Sequence, residues 1–395
     1  MAHHPAVIEA ETGPVSKDDR STRLRNAMVD RLQGRVIRDA RIEEAFRTVP
    51  RHVFLPGVDV DKVYGGAAIP TRFDEKKRPI SSSSEVEIMT VMAEQLELAP
   101  GMHVLEIGAG TGYNAAILSE LVGSDGRVTT IDIDPEISSG ARAHLAAAGR
   151  SGVTVVTGDG WQGVPDDAPY DRIELTASTG DLSPSWIEQL AEGGILVVPL
   201  WLRGGWQFIV AFRKREGLLS STSVRGGGFM PLRGAGALAD PAVSRDGRRV
   251  VGAGATDVDA IFGLLSSEPR IVLGPGYDPE RSWDRMTALA ASAADLIGVT
   301  AHGKGFALGL YDARSNGLAV ATFSSISHLG PRIVYAVHGG EGSLPTLRTL
   351  VETGPKTCAE IAIHAEPLTT PLIEGGIVRR HYRPVVHRLT PQALG

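Results

Sequence analysis

The middle of the chain alternates short apolar runs with stretches in which apolar residues recur at helical spacing. Val104, Leu105 and Ile107 form one apolar run, and Ala115–Leu121 shows the spacing of a helix shortly after it. A strand, a glycine-rich turn and a helix in this order are typical of a nucleotide-binding α/β unit, because glycines let the backbone approach a ligand and the helix start offers free N–H groups. The glycines of this turn are Gly108, Gly110 and Gly112.

The same alternation continues downstream. Arg127–Ile133 is predicted to be the next strand, Ile137–Ala148 a helix and Val153–Thr157 another strand. The other predicted elements of this half are strands within Ala168–Ala177 and Gly193–Leu200, the helix Ser183–Leu190 and an antiparallel pair that begins with Trp206–Lys214. Such an alternation predicts an α/β fold with a mainly parallel sheet covered on both faces. A ligand is then expected outside the carboxyl ends of the strands.

The residues before the glycines are predicted to be helical and then irregular. Ser21–Thr48 has the spacing of two helices, and Val49–Pro56 is predicted to be a short extended segment bounded by prolines. Four serines, Ser81–Ser84, precede a helix predicted at Glu85–Leu96. Serine is favoured as an N-cap, so one of the four could cap this helix, and the same helix start could also bind a small acidic group.

The last part of the chain, residues 235–395, is predicted to be an additional α+β domain. Gly234–Gly254 is rich in Gly, Ala and Asp and is interpreted as a linker. Arg314–Gly317 predicts a β-hairpin, because its Asn-Gly pair tolerates positive φ. The other predicted elements are helices at Thr256–Leu265, Ser282–Leu296 and Leu344–Thr353 and strands at Ile333–Val337 and Cys358–His364.

Composition sets wide bounds. With 395 residues, 42% hydrophobic and 22% charged, the chain is expected to be globular, with one large domain or two. The formal net charge of −6 argues against a nucleic-acid partner. Cys358 is the single cysteine, which excludes an internal disulfide and a multi-cysteine metal site, and no metal is expected. We found no signal peptide or membrane-length apolar run, so we expect a cytoplasmic protein with no membrane partner and a disordered tail over residues 1–20.

Three acidic residues near the glycines bear on the ligand. Glu106 lies inside the turn, where its charge would disfavour a pyrophosphate and favour a ligand with an ammonium group, such as the methionine end of S-adenosylmethionine. Asp132 follows at the distance expected of an acid that holds ribose hydroxyls. NAD would use the same acid, so Asp132 alone does not separate the two cofactors. Asp159 follows the next strand and could meet an adenine amino group.

Several segments of the chain, in order, resemble those of one family. They are IRDARIEEAFRTVPRHVFLP, PISSSSEVEIMTVM, VLEIGAGTGYNAAIL, VTTIDIDPE, VTGDGW, APYDRIELTA, LAEGGILVVPL and FMPLRG. Residues 21–234 thus resemble the protein-L-isoaspartate (D-aspartate) O-methyltransferase family. The resemblance implies a Rossmann-like class I S-adenosylmethionine-dependent methyltransferase with a mostly parallel seven-stranded sheet. It also implies an enzyme that esterifies a carboxylate of an aspartyl or isoaspartyl residue in a peptide or protein and leaves S-adenosyl-L-homocysteine.

The resemblance implies a set of site residues as well. The cofactor's methionine end, ribose and adenine would contact Ile80, Ser81, Glu106, Gly108, Gly110, Gly112, Asp132, Ile133, Asp159 and Gly160. Ser81 and Ser82 are the expected catalytic residues. An aspartyl carboxylate is already ionised at neutral pH, so the reaction needs no general base. The Ser81 hydroxyl would instead orient the carboxylate oxygen, which is a positioning effect.

Departures from the family pattern bear on the substrate. Tyr64 and Ser81 stand farther apart than in repair enzymes of the family, the residues between them are charged, and Arg233 stands where threonine is usual. Extended relatives found beside ribosomally made peptides, including lanthipeptides and graspetides, methylate a normal aspartate in a modified precursor peptide, which leads to a succinimide or isoaspartate. We expect such a tailoring enzyme, with residues 235–395 recognising the peptide. The alternative is a repair methyltransferase that acts on damaged proteins.

Two other classes of protein fit the sequence less well. A nucleic-acid amino-methyltransferase is expected to carry Asn/Asp-Pro-Pro-Tyr/Phe where Leu175–Thr179 stands. A dehydrogenase would need a catalytic Lys, His or Tyr near the cofactor, and the sequence indicates none. A module that keeps the fold and binds without catalysis remains open.

Overall fold

The structure, a computed structural model, describes residues 17–202, 206–237, 242–251, 258–279, 282–293, 295–301, 307–326, 329–374 and 377–389. Its helices are α1 (Lys17–Asp30), α2 (Ala40–Thr48), α3 (Val60–Tyr64), α4 (Val86–Leu96), α5 (Tyr113–Val122), α6 (Pro135–Ala147), α7 (Pro184–Gln189), α8 (Val258–Leu265), α9 (Ser282–Ser292) and α10 (Ser343–Thr353). None of the helices in the described ranges is both long and apolar enough to cross a membrane.

The strands form two sheets and a two-stranded ribbon. Those of the first half are β1 (Ile69–Phe73), β2 (Pro79–Ser83), β3 (His103–Ile107), β4 (Arg127–Asp132), β5 (Thr154–Thr157), β6 (Tyr170–Leu175), β7 (Leu190–Trp201), β8 (Gln207–Arg215) and β9 (Leu218–Gly226). Those of the second half are β10 (Ala242–Arg245), β11 (Arg248–Val251), β12 (Arg270–Gly276), β13 (Leu296–Ala301), β14 (Ala307–Asp312), β15 (Gly317–Ile326), β16 (Gly330–Gly339), β17 (Ile361–Glu374) and β18 (Ile377–Arg388).

The first sheet has nine strands in the order β18-β17-β9-β8-β7-β6-β3-β4-β5. Strands β5, β4, β3, β6 and β7 are parallel, whereas β8 and β9 are antiparallel to their neighbours. The seven strands β3–β9 confirm the predicted class I methyltransferase sheet. The ribbon β1–β2 lies apart from both sheets and precedes α4.

Local sequence explains how the central units form. Every residue of β3 is buried, as its apolar run predicts. Gly112 precedes α5 with φ +86°, and a Cβ there would lie 3.2 Å from the carbonyl oxygen of Ala141, so the turn and α6 pack closely only around glycine. Asp134 caps α6 by accepting hydrogen bonds from two backbone N–H groups of its first turn, and Pro135 occupies the first helical position.

The second sheet is antiparallel throughout and has seven strands in the order β10-β11-β13-β14-β15-β16-β12. The hairpin predicted at Arg314–Gly317 is confirmed, because β14 and β15 pair with Asp312 opposite Gly317 and Asn316 has φ +46°. Trp186 of the first half and Leu289 and Tyr335 of the second belong to one buried apolar cluster. The two sheets therefore share a core, and the additional C-terminal α+β region is present.

The last two strands of the chain join the first sheet. β17 pairs with β9, with His364 opposite Ser220. Behind this hairpin the buried carboxylate of Asp181 accepts hydrogen bonds from the backbone N–H groups of His381, at 2.5 Å, and Tyr382, at 3.0 Å. The division of the chain at residue 234 stays a prediction, since the C-terminal residues complete both sheets.

Three predictions for the second half were wrong in part. Gly234–Gly254, interpreted as a linker, contains the hairpin β10–β11, whose turn has Asp246 at φ +50° and Gly247 at φ +72°. Each of its strands has only four residues and includes arginine, so they lack the apolar run of a buried strand. The helix predicted to reach Leu296 ends at Ser292, and Leu296 begins β13. The strand predicted from Cys358 begins at Ile361, after a 3-10 turn.

Two predictions for the first half also need correction. Val49–Pro56, predicted to be extended, contains a 3-10 turn over Arg51–Phe54. The helix start at residue 85 is not capped by a serine, because Glu85 occupies the N-cap position without a side-chain hydrogen bond. Of the predicted tail, residues 1–16 lie outside the described residues, and helix α1 begins at Lys17.

Candidate active site

A cavity of about 1030 Å³ opens at the carboxyl ends of β3 and β4. We call it the main cavity. It brings together most of the site residues predicted from the sequence, which are Ile80, Ser81, Ser82, Glu106, Gly108, Gly110, Asp132, Ile133 and Gly160. Gly112 and Asp159 are not among the residues that line it.

The glycine turn (residues 108–112) packs against the end of β6 at a position that only glycine allows. Gly108 has φ +109°, and a Cβ there would lie 2.3 Å from the Thr176 hydroxyl oxygen. That hydroxyl donates a 2.7 Å hydrogen bond to the carbonyl oxygen of Gly108 and so fixes the turn against the end of β6. Gly110 has φ +52° and faces the ribbon, with Ser82 O and Ser81 Oγ the atoms nearest to its missing Cβ.

Asp132 is buried at the end of β4, beside the glycine turn. Its carboxylate accepts hydrogen bonds from the backbone N–H groups of Gly110, at 3.2 Å, and Asp134, at 3.1 Å. Burial raises the pKa of Asp132, while these two N–H groups and the nearby Arg233 oppose the increase. The acid is therefore held at the cavity wall by the same turn that a ligand would contact.

Asp159 lies beneath the segment that follows residue 232. Its Oδ1 accepts a 2.9 Å hydrogen bond from Trp161 N, and its Oδ2 accepts a 2.7 Å bond from Ala235 N. A Cβ at Gly234 would lie 2.5 Å from Asp159 Oδ2, so this crossing is also close. We call residues 233–235 the strap, because they cross the edge of the site and engage Asp159.

Glu106 has no exposed surface and points beneath the glycine turn. Its Oε1 accepts a 2.8 Å hydrogen bond from Asn114 Nδ2, and its Oε2 accepts a 2.5 Å bond from the Thr130 hydroxyl. Burial raises the pKa of Glu106 to about 7, although both hydrogen bonds lower it. A second buried acid, Glu174, accepts from the same Asn114 amide at 2.7 Å. Sequence analysis missed Glu174, because an acid within an apolar strand has no motif.

The serines predicted to act in catalysis lie on β2, not in a helix cap. Ser81 is 7% exposed, and its Oγ accepts a 3.2 Å hydrogen bond from Thr71 Oγ1 of β1. The end of β2 is anchored by Arg51, which is fully buried and donates hydrogen bonds to Ser83 Oγ and Ser84 O. The ribbon thus holds Ser81 against the glycine turn.

The charged residues of the ribbon are largely paired within the protein. Arg72 contacts Glu136 at 2.5 Å and Asp134 at 3.4 Å, both at the start of α6. Arg78 pairs with Asp74 across the ribbon's own turn at 2.7 Å. Arg72 therefore ties the ribbon to the start of α6, whereas Arg78 stabilises the ribbon's own turn.

The far end of the main cavity extends to the N- and C-terminal parts of the chain. Arg35 and Arg38, between α1 and α2, line it together with Arg225 of β9. Asp284 and Thr357, from the C-terminal region, line it as well. A ligand longer than a nucleotide could thus reach from the glycine turn to the C-terminal region.

We found no metal-binding geometry in the part of the chain that the structure describes, where no three His, Cys, Asp or Glu side chains cluster suitably. Cys358 is buried, and burial raises the pKa of its thiol. It is therefore a structural thiol and not a reactive nucleophile.

Comparison with known proteins relates the chain to one family. A sequence model of the protein-L-isoaspartate(D-aspartate) O-methyltransferase family matches residues 23–236. The protein-L-isoaspartate O-methyltransferase of Methanopyrus kandleri is 38% identical over 230 residues, which are 58% of this chain and 99% of the relative. The enzyme of the same name from Methanoculleus marisnigri is 38% identical over 220 residues, which are 55% of this chain and 94% of the relative.

A solved structure of a protein-L-isoaspartate O-methyltransferase covers 86% of this chain and 96% of its own, with a TM-score of 0.52 and 24% identity. This likeness shows the fold, and a share of 86% extends beyond residues 23–236 into the C-terminal region. The sheet order, the glycine turn and the match over more than half of the chain lead to one assignment. The chain belongs to the protein-L-isoaspartate(D-aspartate) O-methyltransferase family, whose members are S-adenosylmethionine-dependent methyltransferases.

Proposed function

We propose that this chain transfers a methyl group from S-adenosylmethionine to the free carboxylate of an isoaspartyl residue in a protein or peptide. The observation that carries the proposal is the main cavity, in which the glycine turn and its acids lie beside Ser81 of the ribbon. The names of the similar proteins support isoaspartate as the acceptor.

The residues of the cavity fit this cofactor. The glycine turn has room for the methionine end, and the acid Glu106 beneath it attracts an ammonium group. Asp132 would accept hydrogen bonds from the ribose hydroxyls, with Ile133 and Gly160 against the adenine. Asp159 would contact the adenine edge once the hydrogen bond that Ala235 N of the strap donates to it is replaced by one from the adenine. When bound, S-adenosylmethionine supplies the methyl group on its sulfonium.

The protein's part in the transfer is to position the reacting atoms. The acceptor carboxylate is ionised at neutral pH, so no side chain has to remove a proton. Ser81 and Ser82 would hold one carboxylate oxygen in line with the methyl carbon. Alignment of this kind accounts for a large part of the rate acceleration in such transfers. The methyl ester then loses methanol when the next backbone nitrogen attacks it, which gives a succinimide that hydrolyses to aspartate and isoaspartate.

The direct test is transfer of labelled methyl groups to two peptides that differ only in linkage. We expect turnover with an isoaspartyl hexapeptide, no turnover with its L-aspartyl isomer, and loss of turnover in Asp132→Ala. The matched control is Asp125→Ala, an exposed residue of the loop before β4. Failure of the isoaspartyl peptide to accept methyl groups would contradict repair as the function.

A second candidate function is the tailoring of a normal aspartate in a modified precursor peptide, such as a lanthipeptide. The observation that favours it is the reach of the main cavity to Asp284 and Thr357, which would let residues 235–395 recognise a large or cyclised peptide. Turnover with such a peptide in place of the isoaspartyl hexapeptide would support this candidate. A short precursor gene beside the coding gene would point the same way.

A further inference from the structure

Two glutamates lie side by side in the core beneath the glycine turn. Glu106 of β3 and Glu174 of β6 are direct partners in the parallel register of these strands, and they are 0% and 1% exposed. One amide group, Asn114 Nδ2 of α5, donates to both carboxylates, at 2.8 Å and 2.7 Å. We call Glu106 and Glu174 the acid pair, and Asn114 is the residue that bridges them.

Nothing in the surroundings neutralises the acid pair. From β4, the Thr130 hydroxyl donates to Glu106, and Asp132 adds a further negative charge. On β6, Arg172 directs its guanidinium to carbonyl oxygens at the end of α4, including Glu97 O at 3.0 Å. On β7, the register partner of Glu174 is the apolar Val197. Within the described residues, neither glutamate forms an ion pair.

Two adjacent buried carboxylates without a cation cannot both be ionised, because each desolvated charge repels the other. A single retained proton removes one of the two charges and so resolves the conflict. Burial, with a further contribution from Asp132, raises the pKa of Glu106 to about 7, and burial together with the charge of Glu106 raises the pKa of Glu174 to about 8. The pair thus changes its protonation within the ordinary working range of an enzyme.

We infer that the acid pair shares a proton in the free protein and releases it when the ammonium group of the methyl donor binds above Glu106. In this step one O–H bond of the pair breaks, the proton passes to the buffer, and the donor keeps its own three N–H protons. Glu174 is then a positioning residue, which acts on the donor only through Glu106. The inference rests on the proposed function, because it requires the donor's methionine end at the glycine turn.

The consequence is a donor affinity that depends on pH. A ligand that binds the deprotonated pair more tightly must bind better as pH rises through the titration of the pair. The expected change is up to about tenfold in Kd per pH unit, which corresponds to one released proton. A glutamine at position 174 keeps the size and the contact with Asn114 but binds no proton, so only Glu106 can then release one.

The test uses the full-length protein and S-adenosyl-L-homocysteine, which carries the same amino acid end and undergoes no transfer. Titration calorimetry at pH 7 in two buffers of different ionisation enthalpy counts the protons released on binding. We expect about one proton for the wild type, clearly fewer for Glu174→Gln, and the wild-type number for Glu44→Gln, an exposed control on α2. The amino group of the ligand titrates alike in all three, so the differences report the pair.

The possible outcomes separate this inference from the proposed function. If S-adenosyl-L-homocysteine binds and Glu174→Gln releases as many protons as the wild type, the inference is wrong and the proposed function stands. If no variant binds the ligand, the proposed function itself fails. Glu106→Gln provides a second check, because we expect it to weaken binding at every pH from 6 to 8 and to release no proton. The infrared C=O band of a protonated carboxyl group, weakened in Glu174→Gln, would support the shared proton directly.

Discussion

Arg233 Nη2 lies 3.4 Å from Asp132 Oδ1, so a side chain of the strap contacts the acid that is proposed to hold the donor's ribose. The other guanidinium nitrogen lies 3.8 Å from Asp134. Two residues further along, Ala235 N donates to Asp159. The strap thus engages both acids that the proposed function assigns to the nucleoside, and donor binding in that proposal would require these contacts to be exchanged.

The first prediction concerns this exchange. Arg233→Thr removes the competitor for Asp132 and introduces the residue usual in the family, so we expect S-adenosyl-L-homocysteine to bind two- to fivefold more tightly. Arg233 is 38% exposed on its side chain, and such pairs contribute at most about 1 kcal/mol. Calorimetry at low and high salt measures the effect, with Arg41→Ala on α2 as the control. Weaker binding in Arg233→Thr would show that Arg233 contacts the donor instead of competing with it.

The second prediction uses two glycines with positive φ. Gly108→Ala places a Cβ 2.3 Å from Thr176 Oγ1, whereas Gly123 has φ +69° and open space around it. Both substitutions should lower the free energy of unfolding by about 1–3 kcal/mol through backbone strain. Only Gly108→Ala should abolish binding of S-adenosyl-L-homocysteine. Denaturant unfolding and equilibrium dialysis measure the two effects, and equal donor binding by both variants would contradict the role of the glycine turn.

The third prediction separates binding from transfer. Ser81→Ala should leave the Kd for S-adenosyl-L-homocysteine within about twofold and lower kcat about 100-fold, because misplacement of a reacting oxygen costs rate more than affinity. Single-turnover transfer to the accepted peptide measures the rate, and Ser124→Ala, in the exposed loop before β4, is the control. A kcat unchanged in Ser81→Ala would leave Ser82 as the remaining catalytic candidate.

The fourth prediction follows from the raised pKa of Glu174. An unfolded glutamate has a pKa near 4.5, whereas burial and Glu106 raise that of Glu174 to about 8 in the folded protein. Between these values the folded state binds more protons, so stability falls as pH rises through this window. Glu174→Gln should therefore gain stability relative to the wild type between pH 5.5 and pH 8. Each pKa unit corresponds to about 1.4 kcal/mol, so the gain is of the order of a few kcal/mol.

Urea unfolding at both pH values measures this difference, and Glu44→Gln should show no such dependence. A difference between Glu174→Gln and the wild type that stays constant with pH would mean that Glu174 does not titrate in the window. That outcome would also count against a shared proton in the acid pair.

Sequence patterns located the donor side of the site well. Gly108 and Asp132 each belong to a local motif, a strand end followed by a turn, and a short sequence pattern specifies such a motif. The prediction placed both at the main cavity, where the structure has them. Their roles in binding stay predictions.

Contacts between distant parts of the chain were not predictable in the same way. Glu174 becomes informative only when β6 pairs with β3 and brings it beside Glu106, 68 residues earlier in the sequence. The strap contact of Ala235 with Asp159 spans 76 residues and uses a backbone N–H, which every residue except proline provides. Such pairings depend on sheet order, and hydrophobic periodicity does not encode that order.

The end of the chain covers one edge of the sheet on which the donor site is built. During translation, the glycine turn, Asp132 and the strap are all synthesised before β17 and β18. Until these two strands are made, β9 presents an open edge, and the buried carboxylate of Asp181 lacks the two N–H groups of His381 and Tyr382. Nascent chains of this protein are therefore most prone to aggregate late in synthesis. A shortened version ending near residue 236 would keep the exposed edge of β9 and the same tendency to aggregate.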